Sequence, residues 1–422
     1  MAVQIVDSVM VGIYGGEDPI PLAAVSFATI AWALVFCFCI GFTMAMTPII
    51  GRLFVNSSHK QCARYLSTGT LLYTLTGIVA CVFMLLIAPL FKYMGQSAEV
   101  LDIALPYYRM MAFAMIPIMF FNTFRQFLEG LGNTAIAMRI VVFSNLLNVF
   151  FNWVLIFGHL GLPSLGVYGA GLATLLARMV CPLIVVLSMM LRKRYRIYLS
   201  FRIHTGFFYR SSHLLRIGFP IAMQMLFEMS AYTAICFMMG CFGAIPLAAN
   251  QIADLMGNCA FMVSMSISSA ATIVVSHMSG LGNWEQTRRA AQCSARLSLV
   301  WGTTVFFLFF ILRGVVPRMF TQNEEVQELA SIFLMLYGVY QISDALQTVM
   351  AGVLRALQDV SVIAHYAFLS YIVVNIPFAY LCAFVFEMGP KGLMMGYIVG
   401  LLLAAILYSL RVRRNLLRMS RF

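Results

Sequence analysis

The chain has 422 residues, 62% hydrophobic and only 10% charged, with a formal net charge of +12 and a mean hydropathy of +0.91. Soluble domains carry about 25% charged residues, and the deficit here runs along the whole chain, which excludes a soluble protein with a single anchor. Lipid tolerates only helices and closed barrels, and long continuous apolar runs such as TGTLLYTLTGIVACVFMLLIAPLF from Thr68 are unlike the alternating segments of about ten residues that build barrels.

The sequence therefore predicts an all-α polytopic membrane protein with twelve transmembrane helices, at 1–15, 22–50, 66–91, 103–128, 135–158, 165–191, 217–242, 247–277, 289–312, 328–355, 361–386 and 391–411. The first run, Met1 to Tyr14, is too short to cross about 30 Å at 1.5 Å per residue. The first helix thus reads as truncated, with its start expected upstream. No cleavable signal pattern stands at the N-terminus. Turn signals follow at GGEDP (15–19), GLPSLG (161–166) and EMGPKG (387–392).

Basic residues gather in the connections after even-numbered spans: Arg52, Lys60 and Arg64; Arg125 and Arg139; the run from Arg192 through Arg202 to Arg216; Arg288, Arg289 and Arg296; Arg355; and a tail with Arg411, Arg413, Arg414, Arg418 and Arg421. The other connections hold few basic residues and more acids, including Glu17, Asp18, Glu324 and Glu325. By the positive-inside rule both termini face the cytoplasm. The net charge is then a topology signal, and no nucleic-acid partner is implied.

The basic stretch divides the chain into an N-terminal six-helix lobe (1–191), a cytoplasmic inter-lobe loop (192–216), a C-terminal six-helix lobe (217–411) and a basic cytoplasmic tail (412–422). The two halves resemble each other at a shift of about 225 residues: PLAA at Pro21 recurs at Pro246, and Thr47 falls on Thr272. Further on, FLEGLGNT from Phe127 pairs with VLRALQDV from Val353 after a slip of one residue. A duplicated transporter has such halves.

Ionisable residues inside spans cost about 2.5–3.5 kcal/mol on insertion scales and default to functional candidates. They are few: Asp7, Glu228, Asp254, Asp344 and Arg178. Tyr340 lies four residues before Asp344 and shares its helix face. Glu228, Tyr340 and Asp344, with Asp254 as a further acid, would suit a Na⁺ with oxygen ligands or a carboxylate that carries a proton. Carboxylates fixing helix packing by hydrogen bonds are the plainer alternative. In the first half Asp7 goes with Asn148 and Asn152, again four apart, as a polar cluster near the midplane, against the alternative of simple interhelical amide bonding. Most of the thirty methionines and thirty-five phenylalanines read as packing. No P-loop or hydrolytic signature appears, and the ten scattered cysteines form no metal or disulfide pattern.

Four segments resemble the multidrug and toxic compound extrusion (MATE) family, in its NorM-like branch: VDSVMVGIYGG with PLAAVS, FRQFLEGLGNTAIAM, NVFFNWVLIFGHLGLPSLGVYGAG and SDALQTVMAGVLRALQDV. The resemblance implies two six-helix lobes arranged as a V around a central cavity, and export of amphiphilic organic cations in exchange for Na⁺ or H⁺, with no cofactor. It implies cation-site acids at Glu228 and Asp344 beside Tyr340, a first-lobe cluster at Asp7, Asn148 and Asn152, and residence in a bacterial inner membrane. Asp254 and Asn250 depart from the family pattern, which is expected to have an apolar residue and a histidine there. The alternative within the superfamily is a lipid-linked oligosaccharide flippase, which would need an arginine-rich cavity for pyrophosphate. A membrane-embedded transferase would need a His/Asp cluster, and the six histidines are dispersed. Small organic cations and membrane lipids are the expected partners. Oligomeric state is not legible in the sequence.

Overall fold

A computed structural model describes residues 2–15, 20–93, 98–161, 163–199 and 204–419. Most of the turn at 15–19 lies outside them, as do Arg202 and Arg421. Among the described residues every regular element is helical. Eleven helical segments are long and apolar enough to cross a membrane. They follow α1 (Ala2–Gly15), whose 14 residues reach about 21 Å.

The chain forms two compact units, Met1–Gly218 and Phe219–Phe422. The first holds α2 (Ile20–Thr43), α3 (Met46–Val55), α4 (His59–Ile87), α5 (Ala98–Gly130), α6 (Ala135–Phe157), α7 (Gly166–Leu191) and a short α8 (Lys193–Arg196). Helix α5 is its centre, packing against α2, α3, α4 and α7, while α1 lies against α2 and α6. Close approach of α6 and α7 requires Gly169, where an added Cβ would stand 2.5 Å from the Leu155 carbonyl oxygen.

The unit boundary falls inside α9 (Phe207–Gly240). The second unit continues with α10 (Ala244–Gly280), α11 (Trp284–Leu312), the short α12 (Val316–Phe320), α13 (Glu324–Ala356), α14 (Ser361–Ala367), α15 (Ile376–Tyr380) and α16 (Pro390–Met419). Residues Phe368–Asn375 and Leu381–Val385, on either side of α15, are π-helical. Helix α13 is the counterpart of α5, packing against α10, α11 and α16.

The internal repeat reaches atomic detail. Thr47 donates its hydroxyl to the Gln126 carbonyl at 3.0 Å, and Thr272 donates to the Gly352 carbonyl at 3.0 Å. Both pairs carry the offset read from the sequence.

Two boundaries differ from the hydropathy reading. Residues 207–216 belong to α9 rather than to a loop, and residues 412–419 extend α16 rather than forming a separate tail. Hydropathy falls where a helix leaves the apolar layer, but backbone hydrogen bonding continues beyond it. The basic connection is also anchored within the first unit. Asn133 donates to the Tyr195 hydroxyl at 2.5 Å, His59 Nδ1 meets the Tyr198 hydroxyl at 2.7 Å, and Arg210 donates to Thr68 and to the carbonyls of His204 and Thr205.

Candidate functional site

In the first unit, α1 carries Asp7 into the interior, where its side chain is fully buried. Oδ1 accepts from Asn152 Nδ2 at 2.6 Å and from Asn148 Nδ2 at 3.4 Å. Oδ2 accepts from the Thr174 hydroxyl at 2.7 Å and the Tyr107 hydroxyl at 3.5 Å. Asn148 also donates to Thr174 at 3.0 Å. The sequence-predicted trio is therefore brought together, by α1 and α6. Tyr107 of α5 and Thr174 of α7 were missed. Thr174 had a signal, since it lies one turn before the already noted Arg178, whose charge acts on Asp7.

In the second unit, Asp344 is buried midway along α13 and accepts from Gln347 Nε2 at 3.1 Å. Gln347 Nε2 also donates to the Thr348 hydroxyl at 3.0 Å, and the Glu228 carboxylate lies within electrostatic reach of Asp344 and of Arg355. Glu228 is partly exposed and sits about six turns into α9, which starts ten residues before the predicted span at 217. Arg355, the end of the tenth predicted span, is buried in the last turn of α13 and donates to Ser268. Gln347 Oε1 is enclosed and has no protein partner. Two carboxylates and an amide carbonyl thus stand together, an oxygen set suited to a hard cation.

Asp254 lies in an adjoining group rather than in this pair. It accepts from the Tyr232 hydroxyl at 2.7 Å, from Asn258 Nδ2 at 2.9 Å and from the Tyr337 hydroxyl at 3.3 Å. Tyr337 also lies 3.4 Å from Asn250 Oδ1, so the two departures from the family pattern share a partner. Tyr340 stands between the groups. Its ring packs on Tyr337 at 4.7 Å and on Tyr397 at 5.8 Å between centroids, and it interacts with both Asp254 and Asp344. The four residues predicted as one site form two linked groups. Tyr232, Tyr337 and Asn258 were not foreseen. Asn258 follows Asp254 by four residues, a spacing that could have revealed it.

Acids are held among apolar helices in both units, one group in the first and two linked groups in the second. A family model, MatE, matches residues 1–154 and 220–381. The chain belongs to the MatE family. It is 30% identical over 419 residues to the probable multidrug resistance protein NorM of Halalkalibacterium halodurans, covering 98% of this chain and 90% of that protein. It is also 30% identical over 420 residues to the multidrug resistance protein NorM of Photobacterium profundum, with 97% and 90% covered. Among solved structures, an outward-facing multidrug resistance MATE family transporter of the MOP superfamily shares the fold, with a TM-score of 0.88 at 20% identity over 100% of this chain and 94% of that one. The eukaryotic MATE transporter AtDTX14 does so with a TM-score of 0.87 at 21% identity, over 99% and 94%.

Proposed function

We propose that this chain is a cation-coupled antiporter that exports amphiphilic organic cations, with Na⁺ or H⁺ as the returning ion held at Glu228 and Asp344. The observation that carries the reading is the Glu228–Asp344 pair, in which a second acid lies within electrostatic reach of a buried aspartate that accepts one bond, from Gln347. A structural carboxylate would be expected to have its acceptor sites filled, and among the described residues Asp344 has one donor, Gln347. The names of the NorM relatives, as multidrug resistance proteins, support the substrate class.

The chemistry asked of the site is modest. A bound cation neutralises the buried Asp344 carboxylate and the partly exposed Glu228 carboxylate, with Gln347 Oε1 and the Tyr340 hydroxyl as further oxygen donors. Ion binding drives a conformational cycle only if the two end states bind the ion with different affinity. The clustering of arginines at one end of the chain's helices supports residence in a bacterial cytoplasmic membrane with both termini inside. The flippase alternative is less well supported, because Arg178 and the buried Arg355 already lie within electrostatic reach of Asp7 and Glu228.

The test uses proteoliposomes loaded with a fluorescent organic cation, with a Na⁺ gradient and a pH gradient imposed separately. Movement driven by either gradient and absent in Asp344→Asn is the expected result. Full transport by that variant would sink the assignment.

A further inference from the structure

The arginine-rich end of the second unit has a feature that ion coupling does not use. Helices α11 and α16 both pack along α13 and barely touch each other. Between them opens a cavity of about 350 Å³ with Met350 of α13 in its lining. Ala291, Val412 and Leu416 make its lining largely apolar, and Arg288 and Arg413 stand on its two sides.

The charges there are unbalanced. Arg289 pairs with Glu285 and Arg411 with Asp359, which occupies the nearby acids. Arg288 and Arg413 are exposed, and neither forms an ion pair among the described residues. Ser409 also lines the cavity, and its Oγ is enclosed without a protein partner. The groove therefore offers two uncompensated guanidinium groups and an apolar lining.

We propose that this groove binds an anionic glycerophospholipid, its phosphate between Arg288 and Arg413 and an acyl chain along Ala291, Met350 and Val412. Guanidinium groups bind phosphate with directed, charge-assisted hydrogen bonds. Basic pockets between transmembrane helices hold acidic headgroups. A soluble anion leaves the apolar lining uncovered, and a zwitterionic lipid brings its own ammonium toward the arginines. The site is independent of the coupling ion and of the exported substrate.

Native mass spectrometry of the detergent-solubilised full chain tests this, with phosphatidylglycerol and phosphatidylcholine titrated separately. Phosphatidylglycerol is expected to be retained about tenfold more tightly, and Arg288→Ala/Arg413→Ala to remove that preference. Arg192→Ala/Arg194→Ala, which deletes the same charge from the connection between units, is expected to keep it. Ala295→Trp fills the groove while leaving both arginines, and is expected to weaken retention. Equal retention of the two lipids by the unaltered chain, or equal loss in both arginine pairs, would overturn the site. Unchanged retention in Ala295→Trp, or displacement of the lipid by millimolar inorganic phosphate, would reduce it to an anion site and overturn the lipid assignment.

Discussion

Asp7 and Asp344 are the same side chain in two different circumstances. A carboxylate has about four acceptor sites. Asp7 fills them with Asn148, Asn152, Thr174 and Tyr107. Asp344 receives one hydrogen bond, from Gln347, and faces a second acid instead. Burial alone therefore does not distinguish the two, since both aspartates are buried. What differs is how far the protein itself satisfies the charge: the saturated carboxylate ties helices together, and the undersupplied one has capacity left for an ion.

The largest expected effect is on transport. Asp344→Asn is expected to reduce gradient-driven efflux to the background of empty liposomes while leaving thermal unfolding unchanged. Asp7→Asn is expected to act the other way, lowering stability by about 1–3 kcal/mol for each donor left without an acceptor, read by thermal unfolding in detergent. An Asp7→Asn protein with unaltered stability and no transport would break the comparison and move the ion to the first unit.

Smaller effects sharpen it. Gln347→Leu removes the amide carbonyl oxygen proposed as an ion ligand, a contact with charge comparable to a hydrogen bond to a charged group, about 1.5–3 kcal/mol. The ion concentration for half-maximal transport should therefore rise about tenfold or more, while Asp344 still supports turnover. Asp254→Asn is expected to leave that concentration within about twofold, because its tyrosine and amide partners remain. A shift as large as that of Gln347→Leu would merge the two groups into one site.

The smallest effect is on acid stability at Asp359, between α13 and α14. Burial pushes its carboxyl up, but hydrogen bonds from Arg411 and Asn415 outweigh this and hold it below the usual carboxylate range. Its contribution is then complete above about pH 4 and lost as pH falls through the lowered folded value. Unfolding temperature measured from pH 6 to 3 should fall for the unaltered chain and less steeply for Asp359→Asn.

Much of this was legible in the sequence. The buried acids announced themselves by cost, and the spacing of Asn148 and Asn152 placed them on one face. The repeat was legible because Thr47 and Thr272 do the same job in each half. Neutral polar partners were harder to find. Thr174, Tyr107 and Tyr232 are chosen by contacts between helices far apart in sequence, and a lone threonine or tyrosine in a span costs little enough to pass unnoticed. Gln347 was within reach, three residues after Asp344 on the same helix. The grouping of Asp254 with Asp344 could not be resolved from one chain, because helix rotation decides which of two neighbouring groups an acid joins.

The π-helical runs around α15 have a mechanical consequence. A π turn holds one residue more than the α turn it interrupts, so the segment from Phe368 to Val385 stores length without storing height. Returning one such turn to α geometry turns every side chain beyond it by about 100° about the axis, one residue's worth at 3.6 per turn. Tyr371 and Asn375, which are buried without side-chain partners in the protein, sit within this slack. The helix is in effect a screw with a spare thread.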